Sequence, residues 1–359
     1  MTPPVIHVAS GREWRGGQRQ VWLLAQQLDR LGVEQVVVTG STTELARRLQ
    51  SSGISVRTAT WKAGIDPRVV PVIMSELRRR PAVLHAHDAH DLTLAGICAW
   101  LGRSPLVVTR RVDFPLTHAG FWSRADRVIA ISRAVADVLV QSGVSRQRIS
   151  VIHSGIPLEE TRKAVPLGVR KLLGLAPDAR VAANVAALVP HKDHATLVNA
   201  ASHLAQPHPE LHWVIAGEGE LRPALETQIR ELGLEGRVHL MGHVVSPERL
   251  IADADVFVMS SRQEGLGTSV LEAMALGIPV ASTTAGGLPE MLGANSGLLV
   301  APSDPSALAK AVARIIESAE LGASLAEKAR TSVVRFSDQR MAEEVRSVYR
   351  SCVHSLDGS

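Results

Sequence analysis

Two series of short apolar runs set the rhythm of the chain. In the first, Val5–Ala9, Gln35–Thr39, Ile54–Ala59, Val83–Ala86, Leu106–Thr109, Val128–Ile131 and Ile149–Ile152 read as strands, being brief and apolar with little alternation. Behind a glycine turn at Gly16-Gly17, the stretch Gln18–Leu31 carries Val21, Leu24, Ala25, Leu28 and Leu31 at helical spacing. Helical candidates separate most of the other runs. The second series comprises Val181–Leu188, His212–Ala216, Val238–Met241, Val256–Met259, Val280–Thr283 and Gly297–Val300. Helices are expected between them at Ala195–Leu204, Leu221–Leu232, Thr268–Leu276 and Ala307–Ser318. Strands apolar on both faces belong in parallel sheets covered on both sides. From Ile156-Pro157 to about Lys171 neither period is present, and the segment reads as a linker. The pattern predicts an α/β chain of two doubly wound domains, residues 1–160 and 161–336, with a last helix at Ser337–Ser351 inside the closing segment 337–359.

Bulk properties fit that division. A chain of 359 residues is longer than one core usually organises, and 45% hydrophobic with 21% charged residues is the balance of a globular enzyme. No basic stretch leading into a long apolar run opens the chain, and no run is apolar enough to span a bilayer, so a cytoplasmic protein is expected. Cys98 and Cys352 match no metal or redox spacing. Residues 1–160 hold 20 Lys and Arg against 13 Asp and Glu, while the rest hold 19 against 22. The basic half, with Arg78-Arg79-Arg80 and Arg110-Arg111, suits an anionic acceptor or the inner face of an anionic membrane; a solvated arginine-rich surface is the plainer alternative. One Tyr and four Phe leave little to stack on bases, and nucleic acid is not an expected partner.

Candidate chemistry concentrates at residues 255–290. The strand DVFVMS ends in the loop SRQEGLG before a helix that starts near Thr268, and ligands of open parallel sheets sit at such strand ends. Amides of Gly265, Leu266, Gly267 and Thr268, with the positive helix end behind them, form an anion cradle. Glu264 beside an anion site makes sense if it accepts from sugar hydroxyls, and Glu272 can accept from a ribose diol. Taken alone, both carboxylates also fit capping or dipole roles. In the first half, HAHDAH (His85, His87, Asp88, His90) follows a strand end. Its order differs from the His-x-His-x-Asp-His of binuclear metal hydrolases, and no metal is expected. Arg110 and Arg111 follow another strand end and are candidate anion or acceptor contacts, or partners of Asp113.

The second half resembles the retaining glycosyltransferases of family four. Glu264 and Glu272 match the Glu-x7-Glu signature, followed in family order by EAMALGIPV and AGGLPE; the likeness extends through VAALVPHKDHATLVNAA, WVIAGEGELRPAL and VHLMGHV. The resemblance implies the GT-B fold, two Rossmann-like doubly wound domains facing a cleft, with the last helix packed back on the first domain. It implies an NDP-sugar co-substrate, UDP or GDP, and no cofactor. Glu264 would bind sugar hydroxyls, residues 265 to 268 phosphates and sugar, Glu272 the ribose, and Val244 the base through its main chain. Lys192 would neutralise the diphosphate, Gly16 and Gly17 would let their loop approach it, and His87 would position the reacting sugar. His87, Lys192 and Glu264 would then act by orientation and charge rather than covalently.

Two positions depart from the family pattern. Ala187 stands where an arginine is usual, leaving Arg110, Arg111 or His191 to supply the missing charge, and Arg19 stands where a glutamate is frequent. The expected activity is retaining, metal-independent transfer of a hexosyl-type sugar to a saccharide or lipid-linked acceptor, in envelope glycolipid or polysaccharide synthesis. The alternatives are a GT-B-like epimerase or phosphorylase, a metal-dependent hydrolase centred on HAHDAH, and a non-catalytic donor-binding protein.

Overall fold

The computed structural model describes residues 2–61, 65–116, 118–293 and 295–352. The chain divides into two compact units, one formed by the chain up to Gly155 together with the part from Phe336 onward, the other by Ile156–Arg335.

The first unit contains β1 (Val5–Ala9), β2 (Gln35–Gly40), β3 (Val56–Ala59), β4 (Val83–Ala86), β5 (Leu106–Arg110), β6 (Arg127–Ala130) and β7 (Ile149–Val151), all parallel in the order β3-β2-β1-β4-β5-β6-β7. Helices α1 (Gly16–Arg30), α2 (Glu44–Ser51), α3 (Val70–Arg79), α4 (Ala89–Gly102) and α5 (Arg133–Gln141) connect the strands. Strand order reverses between β1 and β4, where loops diverge and open a crevice at the carboxyl ends. One core face is filled by Val5, Leu24, Leu28, Val83 and Val107 against Met341, Val345 and Tyr349 of the C-terminal helix Asp338–Ser351. That helix starts at Ser337, whose side chain caps the Arg340 amide.

The second unit repeats the plan. Its linker-like start holds two short helices, α6 (Leu158–Arg162) and α7 (Val169–Leu172), where sequence periodicity suggests none. Helices this short have no room for a period; Asp253 instead pins the Gly168 and Val169 amides before α7. The sheet comprises β8 (Arg180–Val185), β9 (Leu211–Ala216), β10 (Val238–Gly242), β11 (Val256–Met259), β12 (Val280–Thr283) and β13 (Leu298–Val300), parallel in the order β10-β9-β8-β11-β12-β13. Here the reversal lies between β8 and β11. Around it pack α8 (His194–Leu204), α9 (Arg222–Glu231), α10 (Pro247–Ile251), α11 (Thr268–Leu276), α12 (Leu288–Leu292), α13 (Pro305–Glu317) and α14 (Ala319–Ser332). The apolar pattern gives no warning of α14, which follows α13 after the single residue Ser318 and takes that serine as its cap.

The strand expected to run to Leu188 ends at Val185. Beyond it the chain leaves the ladder to meet the loop after β9: Leu188 N donates to Glu218 O at 3.0 Å, and a Cβ on Gly217 would stand 1.9 Å from the Ala186 carbonyl oxygen. Only glycine permits that approach, and Gly217 also sits at φ +153°. Among the described residues no helix is long and apolar enough to cross a membrane.

Candidate active site

In the second unit the crevice between β8 and β11 is built from two interlocked loops. The turn Pro190–Lys192 is held by the chain after β11: Arg262 N donates to His191 O at 2.8 Å, and Ser260 Oγ donates to Lys192 O at 2.9 Å. Thr283 Oγ1 in turn donates to Ser261 O at 2.6 Å. This scaffold sets the Lys192 ammonium against Glu264 Oε2 in a short ion pair, and the same oxygen accepts from Ser261 Oγ at 3.1 Å. Both side chains are largely buried, so the pair is shielded from the screening that weakens surface bridges.

Immediately after Glu264 the backbone turns into α11 through Gly267, at φ +95° and ψ 67°, and no side chain caps the helix. The first-turn amides of an α-helix have no intrahelical partners, so the uncapped end of α11 leaves donors and a positive dipole beside the Lys192–Glu264 pair. Gly265 and Leu266 are buried in the turn, and Glu272 is 1% exposed on the buried side of α11. Val244 lies half-buried just after β10. Ala187 is half-buried in the loop after β8.

The first unit brings different chemistry to its own crevice. His7 on β1 and His85 on β4 are register partners, and His87 follows β4 directly. His7 Nδ1 and His87 Nε2 are 3.0 Å apart, and the His85 and His87 rings lie 4.1 Å between centroids. His85 bonds the Tyr349 hydroxyl at 2.6 Å and Thr109 Oγ1 at 2.7 Å. Arg111 reaches His87 Nδ1 at 3.5 Å, and its stem lies 3.8 Å from where a Cβ on Gly17 would be. Burial takes His7 down to about 4 despite the neighbouring Gln35. Burial, then the adjacent rings and the Arg111 charge, hold His85 and His87 well below the ordinary imidazole value. All three are therefore neutral at pH 7.

Ring nitrogens of the three histidines come within 4.8 Å of one another, a grouping able in principle to hold a metal. Both nitrogens of His85 are taken by hydroxyls, and a guanidinium stands beside His87; the group is accounted for as a hydrogen-bonded cluster. The Asp88 and His90 of HAHDAH do not join it. Asp88 caps α4 by accepting from Asp91 N at 2.8 Å, and His90 is exposed. Arg110 donates to the carbonyls of Val112 and Phe114 and lies over the Trp122 ring, which binds its own loop together. Gly16 opens α1, whose N-terminus has no side-chain cap either.

Of the residues singled out from the sequence, the fold thus gathers Lys192 with Glu264 in one unit and Gly17, His87 and Arg111 in the other. It also adds residues that sequence pattern did not single out. His7 carries a signal in retrospect, a lone ring inside the apolar strand VIHVA. Tyr349 carries none, since it meets His85 across 264 positions of chain.

Residues 169–332 match the family described as Glycosyl transferases group 1, and residues 14–160 match Glycosyltransferase Family 4. The chain belongs to the GT-B glycosyltransferases built from these two domain types. The glycosyltransferase is 31% identical over 220 residues to the putative glycosyltransferase EpsD of Bacillus subtilis, covering 59% of this chain and 58% of that one. To the lipopolysaccharide core biosynthesis glycosyltransferase LpsE of Rhizobium meliloti it is 27% identical over 344 residues, 94% of this chain and 96% of that one. The crystal structure of Anabaena Alr3699/HepE in complex with UDP and glucose shares its fold, with TM-score 0.87 and 23% identity over 97% of this chain and 100% of that one. The glycosyltransferase thus spans little more than half of EpsD and nearly all of LpsE.

Proposed function

We propose that this glycosyltransferase transfers a hexosyl-type sugar from a UDP- or GDP-sugar with retention of configuration and without a metal. The observation that carries the reading is the Lys192–Glu264 pair at the β8/β11 reversal, beside the uncapped N-terminus of α11. A diphosphate at that helix end takes the Lys192 ammonium as counter-charge to the leaving group. Glu264 then turns its acceptor oxygens to sugar hydroxyls, and Glu272 serves the ribose. The HepE structures with UDP and glucose and with UDP-glucose support a uridine donor by analogy. The role of LpsE in lipopolysaccharide core synthesis supports a saccharide or lipid-linked acceptor.

In the first unit, His87 is proposed to contact a substrate hydroxyl and Arg111 an anionic group. With no arginine at Ala187, Lys192 carries the diphosphate charge in its own unit.

The test is a thermal-shift series with UDP, GDP, ADP and dTDP, followed by donor turnover in Glu264→Ala. UDP or GDP at a hundred times its Kd should stabilise the protein by about 2.7 kcal/mol, the others much less. Glu264→Ala should lower turnover by at least about a hundredfold, the scale of one preorganised electrostatic contact. Equal shifts for all four nucleotides, or undiminished turnover, would sink the reading.

A further inference from the structure

The histidine cluster of the first unit holds a hydrogen-bond chain whose direction can be worked out atom by atom. A guanidinium only donates, so the Arg111 contact at 3.5 Å requires a lone pair on His87 Nδ1. A neutral His87 then carries its proton on Nε2 and donates it to His7 Nδ1, 3.0 Å away. His7 in turn must carry its own proton on Nε2. That atom is buried without a completed hydrogen bond, and so is Gln35 Oε1. Gln35 Nε2 already donates to Ala25 O at 2.7 Å, so its Oε1 is the lone pair left over in the pocket that holds the His7 ring. Reversing the proton between the two rings would set an Nδ1–H of His87 against an N–H of Arg111, two donors face to face.

We propose that His7 is a positioning residue which, with Arg111, locks His87 as the Nε2–H tautomer, so that His87 meets its substrate hydroxyl as a hydrogen-bond acceptor through Nδ1 and never as a proton donor. The inference rests on the reading that His87 contacts substrate. His7, His87 and Gln35 are buried, at 0%, 4% and 7% exposure, whereas Arg111 is half-buried, so the Arg111 side with Nδ1 is the outer end of the chain. Its long bond to Arg111 is the one a hydroxyl can share or replace. His85 is fixed separately by Tyr349 and Thr109 and takes no part in the relay.

Long-range 1H–15N spectra of the intact protein read the tautomer directly, with His87 assigned by comparison with His87→Gln. The expected pattern is a single Nε2–H form unchanged from pH 6 to 8. In His7→Leu the pattern should become mixed, and kcat should fall about five- to tenfold, the size of one hydrogen bond, with KM changed less than about twofold. His7→Asn, whose Oδ1 falls near the place of Nδ1, should recover most of the loss. An Nδ1–H or cationic His87 in the parent protein overturns the inference whatever the activity. So does a His7→Leu protein that keeps both the tautomer and kcat. Undiminished turnover in His87→Gln alongside the Nε2–H signal would instead overturn the functional reading and leave the tautomer standing.

Discussion

Both units reverse strand order after their first strand and put polar residues at that point, yet they hold those residues by opposite means. At β8/β11 full charges are kept and matched, Lys192 against Glu264, with Ser261 steadying the carboxylate. At β1/β4 the polar groups beside Arg111 carry no charge of their own: three histidines are buried deeply enough to stay neutral, and direction is conveyed by which nitrogen carries the proton. A matched ion pair can open to release either partner to a charged ligand. A neutral chain of hydrogen bonds is stiff and passes no net charge. The first arrangement suits a diphosphate, the second an uncharged hydroxyl.

The largest expected effect breaks the charged side. Removing one partner of a buried ion pair strands the other, at a cost of about 3 kcal/mol. Lys192→Ala and Glu264→Ala should each destabilise the second unit on that scale, and the double variant should cost far less than the two together. Urea unfolding of the four proteins measures this coupling. Additive losses would mean that the pair contributes nothing to holding the loops together.

Next in size is the acid response of the neutral side. His7 titrates at about 4 when folded and near 6.5 when unfolded, so below 6.5 the unfolded chain takes up a proton that the native state refuses. Stability is therefore fully present above 6.5 and drains away as pH falls towards 4. Integrated from pH 7 to 5, His7 accounts for about 2 kcal/mol of that loss. His7→Leu should shrink the difference in unfolding free energy between pH 7 and 5 by this amount. Groups outside the cluster, including Asp91 and Asp338, which burial pushes upward, act in both proteins and cancel in the comparison, while losing His7 also eases the depression of His85 and His87 and adds to the flattening. His194, buried in the second unit and also lowered to about 4, gives a matching control: His194→Leu should flatten the acid limb by a similar amount. Unchanged acid limbs in both variants would show that these rings are not neutral when folded.

The same contrast explains what could be read from sequence. The charged site is nearly local: Glu264, the glycine turn and Glu272 fall on one loop and one helix, and strand, loop and helix follow from apolar period and glycine placement. Lys192 lies 72 positions from Glu264 and was legible only through resemblance, because nothing in its own segment predicts that Arg262 and Ser260 will clamp its turn. The neutral site is assembled from β1, β4, the end of β5 and the C-terminal helix. Strand periodicity shows that these elements exist, but their register, which sets His7 beside His85, is a tertiary property. The short helix α7 and the end of β8 escape for a related reason: contacts with distant loops set them, not local pattern.

The smallest effect sharpens the comparison at the helix ends. Gly16 and Gly267 both lead into helices without side-chain caps, one in each unit, but only one is constrained. Gly267 sits at φ +95°, and a Cβ there would lie 3.0 Å from Leu288 Cδ2, 3.3 Å from Met291 Cε and 3.4 Å from Glu264 Cγ. An added Cβ at Gly16 would meet nothing within 4 Å, and φ there is unremarkable. Gly267→Ala should therefore cost about 1 kcal/mol in strain, while Gly16→Ala should stay within about 0.5 kcal/mol of the parent. The neighbours at Gly267 are ends of flexible side chains, so Leu288 and Met291 yield and the cost stays near the backbone value. Denaturant midpoints at constant slope separate the two cases. The new methyl would stand in ordinary contact with Glu264 Cγ, so Gly267→Ala should cost slightly less when measured in a Glu264→Ala background, where that contact is gone. If the cost is the same in both backgrounds, the turn and the carboxylate are independent, and the charged site is less tightly built than its short bonds suggest.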